Sequence, residues 1–128
     1  MLRHMKKEAH DLLKNRVLRR NQKQLQQAKI IHKLRDDPRI DRIGQPITFA
    51  EWSILAFDKE YFTIGEEVFD GIRLLTIWIG REDCPYTTLI FEDEELRAIS
   101  AIDTENEAQW LHARLIFMIE QKIWSFDE

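Results

Sequence analysis

Glu60-Tyr-Phe-Thr-Ile-Gly-Glu-Glu-Val-Phe-Asp70-Gly71-Ile-Arg-Leu-Leu-Thr-Ile-Trp-Ile-Gly80 is the stretch that decides the fold. Two runs rich in β-branched and aromatic residues flank Asp70-Gly71, a dipeptide that accepts the positive dihedrals of a two-residue hairpin turn. Residues 60–69 and 72–80 are therefore expected to pair as antiparallel strands. The second run contains Leu74-Leu-Thr-Ile-Trp-Ile79, which is apolar on both faces. Such a strand is central and covered twice, or covered once and buried in an interface. That second option is the clearest hint of self-association in the sequence.

Downstream, Arg81-Glu82-Asp83-Cys84-Pro85 reads as a loop leading to a third strand at about 86–92. The acidic turn Glu92-Asp93-Glu94-Glu95 then precedes a fourth strand at about 96–102, with Leu96, Ala98, Ser100 and Ile102 on one face. Short links between consecutive strands favour an antiparallel meander. Thr104-Glu-Asn-Glu107 has the spacing of a capping box and opens a helix to about Trp124. This helix is apolar over much of its circumference, through Trp110, Leu115, Phe117, Ile119 and Ile123, and so calls for two neighbours. The sheet supplies one; the other is the short helix, the basic segment or a second subunit. Upstream, Thr48-Phe-Ala-Glu51 is a second capping box, opening a short helix with Phe49, Trp52, Leu55 and Ala56 at core spacing.

The chain divides sharply in charge. Residues 1–35 hold eleven Lys and Arg against Glu8 and Asp11, or +9, while the remaining 8 basic and 21 acidic residues give −13, a split hidden by the net −4. From Leu2 to about Leu34 there is no Pro or Gly and helix formers dominate, so one helix about 50 Å long is expected, part of it projecting. Asp36-Asp37-Pro38 ends it. Leu18, Asn21, Leu25 and Ala28 fit about two heptads, fewer than a coiled coil needs. The predicted organisation is a basic helical arm (1–35), a connector (36–47) and an α+β domain (48–128). The α+β fold comprises a long N-terminal basic helix, a short helix, a four-stranded antiparallel sheet and a C-terminal helix packed on that sheet.

With 44% hydrophobic and 33% charged residues, the composition is that of a globular protein with a charge-rich surface. The single Cys84 excludes an internal disulfide framework and any multi-cysteine metal site. The charged start lacks the apolar stretch of a secretory signal, and no run approaches the ~20 apolar residues of a membrane span. Cytoplasmic localisation is the expectation.

Few residues invite chemistry. Arg16, Arg19, Arg20 and Lys23 recur at helical spacing and share one face that suits phosphates or an acidic partner. The same face is equally a solvated one, or one docked on the chain's own acidic domain. His4, His10, His32 and His112 show no ligand spacing, so neither metal nor cofactor is expected. His112 reads as a core-edge histidine, with a polar site formed with Glu92 or Asp83 as its functional alternative. Glu92, Asp93, Glu94 and Glu95 lack the pattern of a calcium loop and read as a solvated turn or an acidic docking surface for a basic partner. Cys84 beside Pro85 reads as a plain free thiol. No phosphate-cradling glycine loop, nucleophile elbow or dinucleotide fingerprint is present.

Residues 45–115 carry a recognisable order: Gly44-Gln-Pro46, a Trp-bearing short helix, Thr76-Ile-Trp78-Ile-Gly80, Leu89-Ile-Phe91-Glu92, then Thr104-Glu-Asn-Glu-Ala108 with His112 four residues on. This resembles a group of small phage and prophage proteins with a Thr-x-Trp-x-Gly strand, a Phe-Glu strand and a Thr-x-x-Glu-Ala-x-x-x-His helix. The sequence departs from that pattern at Arg81-Glu82-Asp83, at Asp93 and at Leu111. The resemblance implies a phage accessory protein acting in the bacterial cytoplasm, and it implies no particular activity.

The resulting expectation is a non-enzymatic interaction protein of phage origin that binds and inhibits or redirects a bacterial host protein, with self-association possible. A nucleic-acid accessory protein using the basic helix is the alternative, and a small hydrolase or metal-binding protein is the third.

Overall fold

The computed structural model describes residues 6–33, 35 and 37–122. Its α+β architecture agrees with the sequence expectation. The Asp70-Gly71 hairpin joins β3 (Thr63–Phe69) to β4 (Ile72–Arg81), and β5 (Cys84–Glu92) and β6 (Glu95–Ile102) complete an antiparallel meander. Gly71 sits at φ +75°, a conformation that L side chains rarely adopt. α5 (Glu105–Glu120) comes next and lies across one face of the sheet. The parts of this helix expected at Ile123 and Trp124 lie outside the described residues.

The long single helix does not form. α1 (Lys7–Arg20) and α2 (Gln22–Ile31) are separated at Asn21, whose side-chain amide donates to the Val17 carbonyl at 2.8 Å. That bond competes with the helical ladder, as Asn side chains do. Neither helix projects. His10, Leu13 and Val17 form a buried stripe at i, i+3 and i+7 on α1, and Leu25 and Ala28 are buried on α2. The expected ends at Leu2, Leu34 and Asp36 lie outside the described residues. Leu13 and Val17 enter the main cluster with Leu55, Tyr61, Ile64, Trp78, Tyr86 and Ile102, so the basic segment is packed into the fold.

The connector is more ordered than its Pro and Gly content implied. β1 (Arg39–Ile40) and β2 (Pro46–Ile47) pair with each other, and β1 also pairs with β4, so the sheet has six strands instead of four. Thr48 closes the expected capping box with Glu51 at the start of α3 (Phe49–Leu55). Residues 60–62, expected as the start of a strand, belong instead to the single turn α4 (Lys59–Phe62), because the Asp58 side chain accepts from the Tyr61 amide and caps it. Cys84 and Pro85 belong to β5, which shortens the expected loop to the turn at 82–83.

One face of the sheet carries Leu74, Thr76, Trp78, Tyr86, Thr88, Ile90 and Ile102, all buried under the helices. α5 contributes Ala108, His112, Leu115 and Ile119 to that contact. Trp110, expected in the core, is 64% exposed, because it falls opposite the buried 108–112–115–119 stripe. Leu96 also departs from expectation. A bulge between the pairs Ile90–Ala98 and Phe91–Leu96 places it on the opposite face from Ala98, Ser100 and Ile102.

A buried polar cluster fastens α1 to the rest. Tyr61 Oη lies 2.7 Å from His10 Nε2 and accepts from the Arg42 backbone amide at 3.1 Å. Arg42, itself buried, donates to the Tyr61 carbonyl at 3.1 Å and to Glu105 Oε1 at 2.9 Å, and its own carbonyl accepts from Tyr86 Oη at 2.6 Å. Burial pushes both phenols up from their ordinary range. Tyr61→Phe leaves His10 Nε2 and the Arg42 amide without this partner, and the expected loss is about 2–4 kcal/mol of unfolding free energy. Urea denaturation measures it; a change below 0.5 kcal/mol, on the order of an ordinary surface substitution, would contradict the role given to this hydroxyl.

Candidate functional site

Three groups of residues stand out in the sequence, and the fold treats each differently. On the basic face, Arg20 Nη2 donates to both carboxylate oxygens of Asp58 at 2.7 and 2.8 Å, and its Nη1 donates to Glu60 at 2.9 Å. Arg16 joins Glu60 at 2.6 Å. Arg19 and Lys23 are exposed, with no ion pair among the described residues. The face is thus split: two cations dock on the chain's own acidic segment and two point to solvent. Lys14 does the same further along α1, meeting the buried Asp41 at 2.9 Å.

His112 is fully buried between α5 and the sheet. Its Nδ1 lies 2.7 Å from Thr76 Oγ1, which in turn is 2.8 Å from Thr88 Oγ1. Gly65 provides room for the ring, since a Cβ there would stand 2.8 Å from His112 Nε2. Nε2 is 3.7 Å from Glu67 Oε1, longer than a hydrogen bond. Neither expected partner is near this arrangement. Glu92 lies four residues beyond Thr88 on β5, about 13 Å along the strand. Asp83 stands in the β4–β5 turn, ion-paired to Arg81 at 3.3 Å. The structure therefore does not bring His112, Glu92 and Asp83 together.

The other histidines and Cys84 are likewise taken up locally. His10 Nδ1 sits 3.2 Å from Asp11. His32 packs its ring edge on Phe49 with centroids 4.8 Å apart, and His4 lies outside the described residues. Cys84 Sγ contacts the Tyr86 carbonyl at 3.5 Å. Among the described residues no group of three or more His, Cys, Asp or Glu is placed to hold a metal ion.

The acidic turn has the most unusual backbone. Asp93 and Glu94 have φ of +50° and +69°, two consecutive non-glycine residues in the left-handed region. Such a pair makes a two-residue hairpin turn for which Asn-Gly is the low-strain choice. Strain of this kind costs roughly 1 kcal/mol or more per residue and persists where the surroundings hold it. Arg97 engages Glu92 at 3.4 Å and Glu95 at 3.1 Å, whereas Asp93 and Glu94 have no ion pair among the described residues. The four carboxylates are therefore not equivalent.

Beside this turn is a recess of about 550 Å³ lined by Val68, Phe69, Ile72, Phe91, Asp93 and Glu94. It wraps the end of the β3–β4 hairpin: Val68 and Phe91 belong to the sheet face turned away from α5, where Leu75 and Leu89 are half-buried and Val68 is 75% exposed, whereas Phe69 and Ile72 pack against the Leu74, Ile90 and Leu115 cluster on the α5 side. At the other end a smaller recess of about 240 Å³ opens between Phe57, Ile77 and Ile79. The sequence signal for this face was the doubly apolar strand at 74–79. It did not indicate that α5 would cover only one side.

Burial lowers the His112 pKa to about 4 from an ordinary 6.5. Between those values the unfolded chain takes up a proton that the folded chain refuses. The stabilisation is complete above pH 6.5 and is lost as pH falls toward 4, about 3 kcal/mol across the window. His10 shifts the same way through burial, opposed by Asp41 and Asp11. Urea denaturation from pH 7.5 to 4 is expected to show this decline, with a shallower slope in His112→Gln; identical slopes would remove His112 as the source.

Comparison with protein-family models, curated proteins and solved structures gives no match to this chain, so no related protein lends it an activity.

Proposed function

We propose that this chain is a non-enzymatic interaction protein that receives an apolar, Lys- or Arg-flanked segment of a partner protein in the recess beside the Asp93-Glu94 turn. One observation carries this reading: two acids without ion-pair partners among the described residues are held in a costly left-handed turn at the rim of an apolar recess. A glycine in that turn would relieve strain, so keeping two carboxylates there trades stability for negative charge. Val68, Phe69, Ile72 and Phe91 supply the apolar contact, and the acids select a basic flank. The recess also presents Arg73, but its guanidinium is stacked over Phe91 at 4.6 Å and faces Glu66 at 3.9 Å.

The phage resemblance makes a bacterial host protein, bound and inhibited or redirected, the partner to seek first. Phosphate binding by the basic helix is the second reading, and what favours it is the pair Arg19 and Lys23, both exposed and facing solvent. Arg16 and Arg20 are already committed to Glu60 and Asp58, which weakens it.

The test uses an amphipathic Leu/Lys peptide as probe, with a Leu/Glu peptide as control. The double variant Asp93→Asn with Glu94→Gly is expected to unfold at higher urea, gaining about 1 kcal/mol, and to bind the Leu/Lys peptide at least tenfold more weakly. Asp83→Asn in the opposite turn should leave that binding unchanged. Equal affinity of wild type and double variant, or equal binding of both peptides, would overturn the proposal.

A further inference from the structure

We propose that β6 pairs edge to edge with β6 of a second copy of this chain, antiparallel about a twofold axis at Ser100. β6 closes one side of the sheet and pairs with β5 on one flank. Its residues 95–101 are exposed or half-buried, and Ile99 is 67% exposed. An open strand edge is a row of backbone donors and acceptors ready for another strand, and proteins that remain monomeric guard such edges with charge, proline or bulges.

The outermost long strands of this sheet differ in that respect. β3 carries Glu66 and Glu67 in its middle and an irregularity between Thr63 and Gly65. On β6 the bulge and the charges, Glu95 and Arg97, are confined to the first residues. The rest of the strand, Ala98-Ile-Ser-Ala-Ile102, is five residues with no charge and no proline. The guard stops where the pairing segment begins.

Backbone direction fixes the register. The Ser100 carbonyl is turned toward β5, where it accepts from Thr87 Oγ1 at 2.8 Å. Carbonyls alternate along a strand, so those of Ile99 and Ala101 point out of the sheet. With Ser100 on the axis, Ile99 of one copy faces Ala101 of the other and they exchange both backbone hydrogen bonds, twice by symmetry. Side chains fit the same register. Each isoleucine meets an alanine, Ile99 against Ala101 on one face and Ile102 against Ala98 on the other, and the small Ser100 side chains meet at the axis. No charged residue opposes its own copy, as a twofold contact requires.

This surface is separate from the recess at the β5–β6 turn, so the proposal stands independently of the function proposed above. Sedimentation equilibrium of the full chain is expected to show a concentration-dependent rise from 15.4 kDa toward twice that mass, with half-association below about 100 μM. Ala101→Pro removes an outward amide donor and should weaken association at least tenfold while leaving the urea midpoint within experimental error. In a Cys84→Ser background, Ser100→Cys should oxidise to a covalent dimer much faster than an Asp103→Cys control, because residues paired across an antiparallel axis stand at disulfide distance. If Ala101→Pro fails to fold, the Ser100→Cys comparison decides. A wild type that stays at 15.4 kDa above 100 μM, an Ala101→Pro dimer of undiminished strength, or equal oxidation at 100 and 103 would each overturn the proposal.

Discussion

Tyr61 Oη sits where three distant segments meet: His10 from α1, the amide of Arg42 from the connector, and α4, which carries the phenol itself. A phenol that accepts from the Arg42 amide has its own proton to give, and His10 Nε2 is placed to take it. That assignment leaves the His10 proton on Nδ1, facing Asp11 at 3.2 Å, and matches the downward shift that burial imposes on this imidazole. Arg42 extends the cluster to β5 through Tyr86 and to the first turn of α5 through Glu105. Such a cluster adds little net stability over apolar packing of equal volume, but removing one member leaves several buried groups unpaired.

α4 is tied to Arg42 through Tyr61, α1 to Tyr61 through His10 and to Asp41 through Lys14, α5 to Arg42 through Glu105, and α3 joins them by packing Leu55 beside Val17 and Trp78. α5 covers one side of the sheet. α2 continues outward onto α3 through Leu25, Ala28 and Ala50 and does not reach across the sheet. The opposite side thus keeps Val68, Leu75, Leu89 and Ile99 partly or largely exposed, although β4 is as apolar there as on its buried side.

Local chemistry made part of this readable in sequence. The Asp70-Gly71 turn, the Thr48–Glu51 box and the Thr104 cap each depend on residues within four positions of one another; the first two form as expected, and of the box expected at 104–107 the Thr104 half forms, its hydroxyl accepting from the Glu107 amide. The His10, Leu13 and Val17 stripe was also local, yet eleven cations in residues 1–35 obscured it, because charge along a helix says nothing about its opposite face. The Arg20–Asp58 and Arg42–Glu105 pairs link residues 38 and 63 positions apart, and no spacing rule reaches that far. Leu96 shows another gap: one bulged residue reverses the face of everything before it, and nothing in Glu-Leu-Arg-Ala announces the bulge. Of the candidate site residues, the acidic turn was visible as composition, but the inequality between Asp93-Glu94 and Glu92 or Glu95 depends on where Arg97 reaches.

The two proposed surfaces constrain one another geometrically. An antiparallel β6 pair centred on Ser100 sends the two β5–β6 turns to opposite ends of the joined strands. Glu94 lies six residues from Ser100, so the two acidic turns of a dimer would stand on the order of 40 Å apart. A monomeric partner would then occupy one recess at a time, and each copy would bind independently. A partner that is itself twofold, or that repeats its basic segment along a filament, would engage both recesses and gain from the second contact without any new interaction at the first. The pairing strand would then set the spacing of the recesses, and the acidic turn their charge preference.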